Sequence, residues 1–248
     1  MEIITAKNLD IGFNGIPVVR GIDFAAAEGE ITVILGTSGS GKSTLLKTLV
    51  GLIPPLAGNI FFRGDRVDTA SEASCRALYE KIGVLFQDGA LLNSMSLYEN
   101  VALPFRMSGR RFPEDIIRDM VLTRLDQFGL AESAAKSPAE LSGGMRKRGA
   151  LARALILDPD VVFCDEPSAG LDPLTSTDLD DLLIDLKTTL RKTLVVVTHE
   201  LRSIDRIADR AVVLNEGRLH FQGSLAEIRE SPDPFIRTFF LRKDDRHD

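Results

Sequence analysis

Few cysteines, no long apolar run and no excess of basic residues mark this 248-residue chain. Its two cysteines, Cys75 and Cys164, are far apart, and Cys164 lies inside an apolar run where a small buried hydrophobe is expected. No disulfide framework is predicted. No stretch approaches the roughly 18 to 20 apolar residues that cross a bilayer. The opening residues MEIITAKNLD carry an acid at position 2 and lack the positive and apolar stretches of a secretory signal. A cytosolic protein is expected, unless something else holds it at a membrane. With 30 Lys and Arg against 36 Asp and Glu, the net charge of −6 leaves no basic footprint and argues against an obligatory nucleic-acid partner. Internal repeats, low-complexity segments and long linkers are missing too.

What is present is the composition of an ordinary globular protein, 44% hydrophobic and 27% charged, long enough for one large domain or two intimately packed ones. The N-terminal third reads as strands and turns: EIITAKNLDIGF, a turn at Asn14-Gly15, IPVVRGIDFAA, then the short buried strand ITVIL. STLLKTLVGL has helical spacing and stops at Gly51 and the Pro54-Pro55 pair, and NIFFRGDRV reads as a hairpin. From about Ser71 to Ser137 the pattern is helical, with KIGVLF as an isolated strand and EDIIRDMVLTRLDQFGL as the best amphipathic helix. A helix, MRKRGALARALIL, then leads into alternating strands and helices, which argues for a mostly parallel sheet covered on both faces. The tail RKDDRHD reads as a solvated end.

Gly36, Thr37, Ser38, Gly39, Ser40, Gly41, Lys42 and Ser43 fit G-x-x-x-x-G-K-[ST], with Thr44 following, between a buried strand and a helix. Glycines let the backbone wrap closely around phosphate oxygens, and the loop N–H groups and helix N-terminus present positive potential to the anion. Lys42 would reach the β- and γ-phosphates of ATP, and Ser43 would offer its hydroxyl to Mg²⁺. VVFCDE by itself is more simply a strand leaving the core into a polar turn. Beside a phosphate loop it supplies Asp165 for the Mg²⁺ shell and Glu166 to polarise the attacking water. LSGGM alone is a good helix start, but it opens the helix running into the Asp165-Glu166 strand. Ser142, Gly143 and Gly144 therefore form a second anion site, which requires a second nucleotide-bearing molecule.

With these motifs in this order, the chain from roughly Ile3 to Gly223 resembles the ABC ATPase family, whose signature is LSGG followed by a basic helix. The resemblance implies an α/β P-loop NTPase core of ABC type, with an antiparallel β portion and an inserted helical subdomain. It implies a head-to-tail dimer in which the signature of one copy closes over ATP held by the other. Phe13 matches the aromatic that stacks on adenine, the alternative being an ordinary strand aromatic. Gln87 matches the glutamine that meets Mg²⁺ and water on a loop whose flanks touch the membrane subunit. SAGLD, Ser168 to Asp172, matches the loop crossing the dimer interface, and His199 the switch histidine at the γ-phosphate. His220 and His247 carry no such match. Arg146, Lys147 and Arg148 read most simply as a solvated basic cluster at a helix start that disfavours cations, with Arg148 matching the family pattern. Met145 stands where the family most often has Gln, and a thioether is a poor hydrogen-bond partner.

The expected division is residues 1–70 for the β portion and phosphate loop, 71–155 for the helical subdomain and signature helix, 156–223 for the rest of the core, and 224–248 for a short extension. The implied partners are a second copy and integral membrane permease subunits, with the chain peripheral on the cytoplasmic face of the inner membrane. Three stretches are similar to the ATPases of Mce-type lipid transporters, the Mla branch: LFQDGALLNSMSLYENVALPFR, LSGGMRKR and SPDPFIRTFF. They imply a phospholipid cargo and an Mce-type lipid-binding protein as a further partner. In the third stretch Phe235, Ile236, Phe239 and Phe240 would be exposed unless they pack somewhere, for example on the other ATPase subunit. The rivals are an ABC ATPase for another solute, a non-transport ABC protein on nucleic acid, and a P-loop kinase. The kinase reading leaves LSGGM, Gln87 and His199 unexplained.

Overall fold

The computed structural model describes residues 1–241, except the side chains of Phe239 and Leu241; the tail RKDDRHD and His247 lie outside the described residues. Strands β1 (Glu2–Phe13) and β2 (Ile16–Ala27) form an antiparallel hairpin. Its turn is Asn14-Gly15, both at positive φ (52° and 76°), the backbone that matches the right-handed twist of the flanking strands. Strand β3 (Ile31–Gly36) feeds the glycine-rich loop and helix α1 (Lys42–Leu49), and a second hairpin follows as β4 (Ala57–Phe62) and β5 (Asp65–Val67). The middle of the chain gives α2 (Glu72–Tyr79), β6 (Ile82–Leu85), α3 (Leu97–Met107), α4 (Glu114–Gln127) and α5 (Gly143–Ala154). The remainder runs β7 (Val161–Asp165), α6 (Pro173–Thr188), β8 (Thr193–Val197), α7 (Leu201–Ile207), β9 (Arg210–Asn215), β10 (Arg218–Ser224), α8 (Leu225–Arg229) and α9 (Pro234–Leu241).

Two sheets result. One is antiparallel, ordered β2-β1-β4-β5; the other is ordered β10-β9-β3-β8-β7-β6 and is parallel except for β10. The expected antiparallel portion, parallel core and helical insertion are all present. Strand β6, read from the sequence as isolated among helices, is instead hydrogen-bonded along β7, Ile82 to Val161 through Leu85 to Cys164. Its four residues are too short a signal to reveal a partner nearly 80 positions away.

Alternation along the parallel strands sorts their side chains onto two cores. Ile31, Val33, Leu35, Val162, Cys164, Leu194 and Val196 join one cluster with the apolar faces of α3 to α7. Ile34, Val161, Phe163, Val195 and Val197 join another with Leu45, Leu46 and Leu49 of α1 and with Ile4, Leu9 and Phe24 of the antiparallel sheet. Burial on both faces is why β3, β7 and β8 read as near-continuous apolar runs, β3 being interrupted only by the buried Thr32. A fully buried side chain such as Phe163 contributes about 1.5–3 kcal/mol on this account.

Of the C-terminal residues expected to be exposed unless they pack somewhere, Phe235, Ile236 and Phe240 are covered by the chain itself, and the Phe239 side chain lies outside the described residues. Ile236 is buried in the helical-side core, with Phe235 and Phe240 packed against it. His220 on β10 fastens the segment through Asp233, Nε2 to Oδ2 at 3.0 Å, with its ring edge-to-face on Phe235 at 4.9 Å between centroids. Helix α9 turns inward because Asp233 accepts from the Phe235 and Ile236 amides at its start.

Candidate functional site

Four loops leave the C-terminal ends of adjacent parallel strands, the edge at which sheets of this kind bind ligands. Register brings them together: Asp165 pairs with Val197, and Val197 with Ile34, so the loops after β7, β8 and β3 start side by side.

The phosphate loop is built for close backbone approach. Gly36 has φ 147°, and a Cβ there would lie 2.2 Å from the Leu214 carbonyl oxygen. Gly41, at φ 99°, caps α1 with no side-chain hydrogen bond, so the first-turn amides take no partner from their cap. Lys42 folds across the loop, donating from Nζ to the carbonyls of Gly36 (3.0 Å) and Thr37 (2.9 Å). Burial pushes its ammonium below the ordinary value, while Glu166 and Asp165 pull it back. Thr37, Ser38 and Gly39 are exposed, and Ser40 is buried with its hydroxyl unpartnered. Such a loop fits a polyphosphate.

Beside it Ser43 donates to Asp165, Oγ to Oδ1 at 2.9 Å, and Asp165 is only 4% exposed. These are hard oxygen donors of the kind Mg²⁺ takes. Glu166 sits at φ 49°, a sparsely populated conformation for a residue with a side chain. Its amide donates to the Val197 carbonyl at 2.8 Å, anchoring it to β8. Its carboxylate lies 2.8 Å from His199 Nδ1, which places the ring proton on Nδ1 while the carboxylate is ionised. The sequence placed these two residues in one site without foreseeing their direct contact.

Gln87 is exposed just past β6. Lys147 on α5 donates from Nζ to the Gln87 carbonyl and, at 3.2 Å, to the Glu166 carbonyl. Lys147 is only 6% exposed. Burial lowers its pKa, opposed by Asp88, Cys164, Glu166 and Asp165. The expected solvated basic cluster is therefore corrected: Arg146 is exposed, but Lys147 is buried among carbonyls and Arg148 donates to the Phe128 carbonyl at 3.3 Å. Arg153, two turns further along α5, donates to the carbonyls of Ala90 (2.7 Å) and Gly89 (2.8 Å). Asn100, fully buried on α3, accepts from the Leu92 amide and donates to the carbonyls of Leu92, Met95 and Ser96. Three side chains thus hold the loop after Gln87. The sequence singles out Lys147 only as one of a basic triplet beside the signature and gives no sign of Asn100, because the carbonyls that these two side chains meet are brought to them by the fold, those of Lys147 from distant segments.

The signature end differs in kind. Ser142 caps α5, accepting from the Met145 amide at 3.2 Å, and is exposed. Gly144 is buried, with room for no Cβ: one would meet Thr175 Cγ2 at 2.5 Å. Asp172 caps α6 over Leu174 and Thr175, and Thr175 Oγ1 donates back to its carboxylate at 2.6 Å. The Thr175 hydroxyl, then its amide, holds that carboxyl below the usual range. Phe13, 53% exposed, ends β1 on the hairpin whose Val19 touches the loop at Gly41.

Residues 19–169 match the family model described as ABC transporter. The chain is 39% identical over 239 residues to the "Probable ribonucleotide transport ATP-binding protein mkl" of Mycobacterium leprae, covering 95% of this chain and 68% of that one. It is 38% identical over 218 residues to the "Intermembrane phospholipid transport system ATP-binding protein MlaF" of Escherichia coli K12, covering 88% and 81%. Among solved structures, the "Dimeric structure of a post-hydrolysis state of the ATP-binding cassette MJ0796 bound to ADP and Pi" aligns with a TM-score of 0.81 at 29% identity. That alignment covers 90% of this chain and 99% of that one.

Proposed function

The chain belongs to the ABC transporter family as an ATP-binding ATPase, and on that premise we propose that two copies sandwich two ATP head to tail and drive phospholipid movement through separate membrane subunits. The observation carrying the catalytic part is the Glu166 carboxylate held by His199 beside the Ser43–Asp165 pair. Glu166 is the general base for water, and His199 fixes its orientation and meets the γ-phosphate. Gly36 to Thr44 cradle the phosphates, Lys42 moving from its loop carbonyls to the β- and γ-oxygens. Ser43, Asp165 and Gln87 hold Mg²⁺, which when bound neutralises charge on those oxygens. Phe13 stacks on adenine, and Ser142, Gly143 and Gly144 of the second copy close over the γ-phosphate.

Among the described residues no helix is long and apolar enough to cross a membrane. Attachment at the cytoplasmic face of the inner membrane then comes from permease subunits gripping the loop after Gln87. The phospholipid cargo rests on LFQDGALLNSMSLYENVALPFR and LSGGMRKR, together with the likeness to MlaF. SPDPFIRTFF supports it less, since Ile236 serves this chain's own core. Another solute is the second reading, favoured by an equal likeness to mkl, whose name specifies ribonucleotides. On the lipid reading an Mce-type lipid-binding protein completes the system. The complex purified with its membrane subunits should then carry phospholipid by mass spectrometry, and deletion should weaken the envelope against detergents. A lipid-free complex whose ATPase responds to a sugar- or amino-acid-binding protein refutes the cargo and spares the ATPase.

A further inference from the structure

Lys147 occupies a costly position: it lies in the second turn of α5, where burial strips the water from its ammonium. Two backbone carbonyls compensate, and they belong to different motifs: Gln87 after β6 and Glu166 after β7. Glu166 sits at φ 49°, with its amide on Val197 and its carbonyl shared, at 3.2 Å each, between the Ala169 amide and Lys147; of these partners Lys147 is the one that links it to α5. A residue in such a conformation persists only where its surroundings over-determine it. Arg153 supplies an internal contrast, since it grips Gly89 and Ala90 of the same loop and does not reach Glu166.

We infer that Lys147 is a positioning residue for hydrolysis: its ammonium ties the signature helix to the backbone of Glu166 and of Gln87, so that the base is aimed only while α5 is seated. This rests on the reading of Glu166 as general base. A signature helix drawn toward a second copy's nucleotide would carry Lys147, and with it both carbonyls, along the same direction.

The test is a double-mutant cycle on the full chain with Lys147→Met, which keeps the aliphatic stem and removes the donors, and Glu166→Gln. Lys147→Met should lower kcat by about 10²-fold, the scale of a displacement near 1 Å at a reacting group, with the Kd for ATP within about twofold. In the Glu166→Gln background it should lower the residual rate by less than about threefold, because the aimed group is gone. Lys147→Arg should restore most of the rate. Without nucleotide, hydrogen exchange in Lys147→Met should accelerate in peptides spanning residues 86–90 and 165–168 and stay unchanged in α1. If Lys147→Met does not fold, Lys147→Gln takes its place in the cycle. Equal losses of kcat in both backgrounds, or kcat within twofold of wild type, overturn the positioning role. Glu166→Gln hydrolysing at the wild-type rate overturns instead the reading on which it rests.

Discussion

Two helix N-termini in this chain carry glycine-rich motifs, and they are finished in opposite ways. Helix α1 begins at Gly41 with no side-chain cap, and its lysine, serine and neighbouring acids all turn toward the same space. Helix α5 begins at Ser142, whose own hydroxyl already serves the Met145 amide, and it faces outward. The first is a site that one chain assembles; the second, on the proposed head-to-tail pairing, is half of a site that a second copy completes. Rigid support differs as well: Gly41 is hemmed in by Val19 of the β hairpin, Gly144 by Thr175 of α6.

The widest separation of the two ends comes from chemistry. Glu166→Gln should bind ATP as wild type does and lose about 10²- to 10⁴-fold in kcat, the usual weight of a general base. Gel filtration with ATP and Mg²⁺ should show a trapped dimer. Ser142→Arg should leave ATP binding to the isolated chain nearly unchanged while hydrolysis falls on the order of 10²- to 10³-fold, as when a donor to developing charge is lost. A heterodimer of Lys42→Ala and Ser142→Arg chains puts both lesions into one composite site. It should occlude one ATP; two or none breaks the head-to-tail pairing.

Alanine at the two glycines sharpens the structural side. Gly41→Ala adds left-handed strain to a 2.2 Å clash with Val19, and the overpacking alone costs about 1–3 kcal/mol. It should lower the melting temperature and ATP affinity together. Gly144→Ala meets a clash of similar depth at Thr175, but gains about 1 kcal/mol of helix propensity that offsets part of it. Calorimetry should rank Gly41→Ala as the worse, with ATP binding spared in Gly144→Ala. The smallest effect belongs to Asp172. Its carboxyl is held below the ordinary 3.8, so its stabilisation is complete above that value and is lost as pH falls through the lower folded one. Asp172→Asn should therefore melt below wild type at pH 7 and converge with it in acid.

Much of this molecule is legible in one dimension. The phosphate loop, the acid pair at the end of an apolar strand, the Asn14-Gly15 turn and the doubly buried runs of β3, β7 and β8 each depend on residues within about ten positions of one another. Local chemistry suffices to read them. The fold class follows from their alternation.

What tertiary structure alone decided is every contact whose partners are far apart in sequence. β6 finds β7 across the whole helical insertion. Phe235, Ile236 and Phe240, apolar and terminal, find cover on their own chain through the His220–Asp233 pair. Lys147 leaves the solvent that a basic triplet suggests, because two strand ends 79 residues apart in numbering present their carbonyls to the same turn of α5. A carbonyl has no side-chain letter in the sequence, so its need for a donor becomes visible only when the backbone is folded around it.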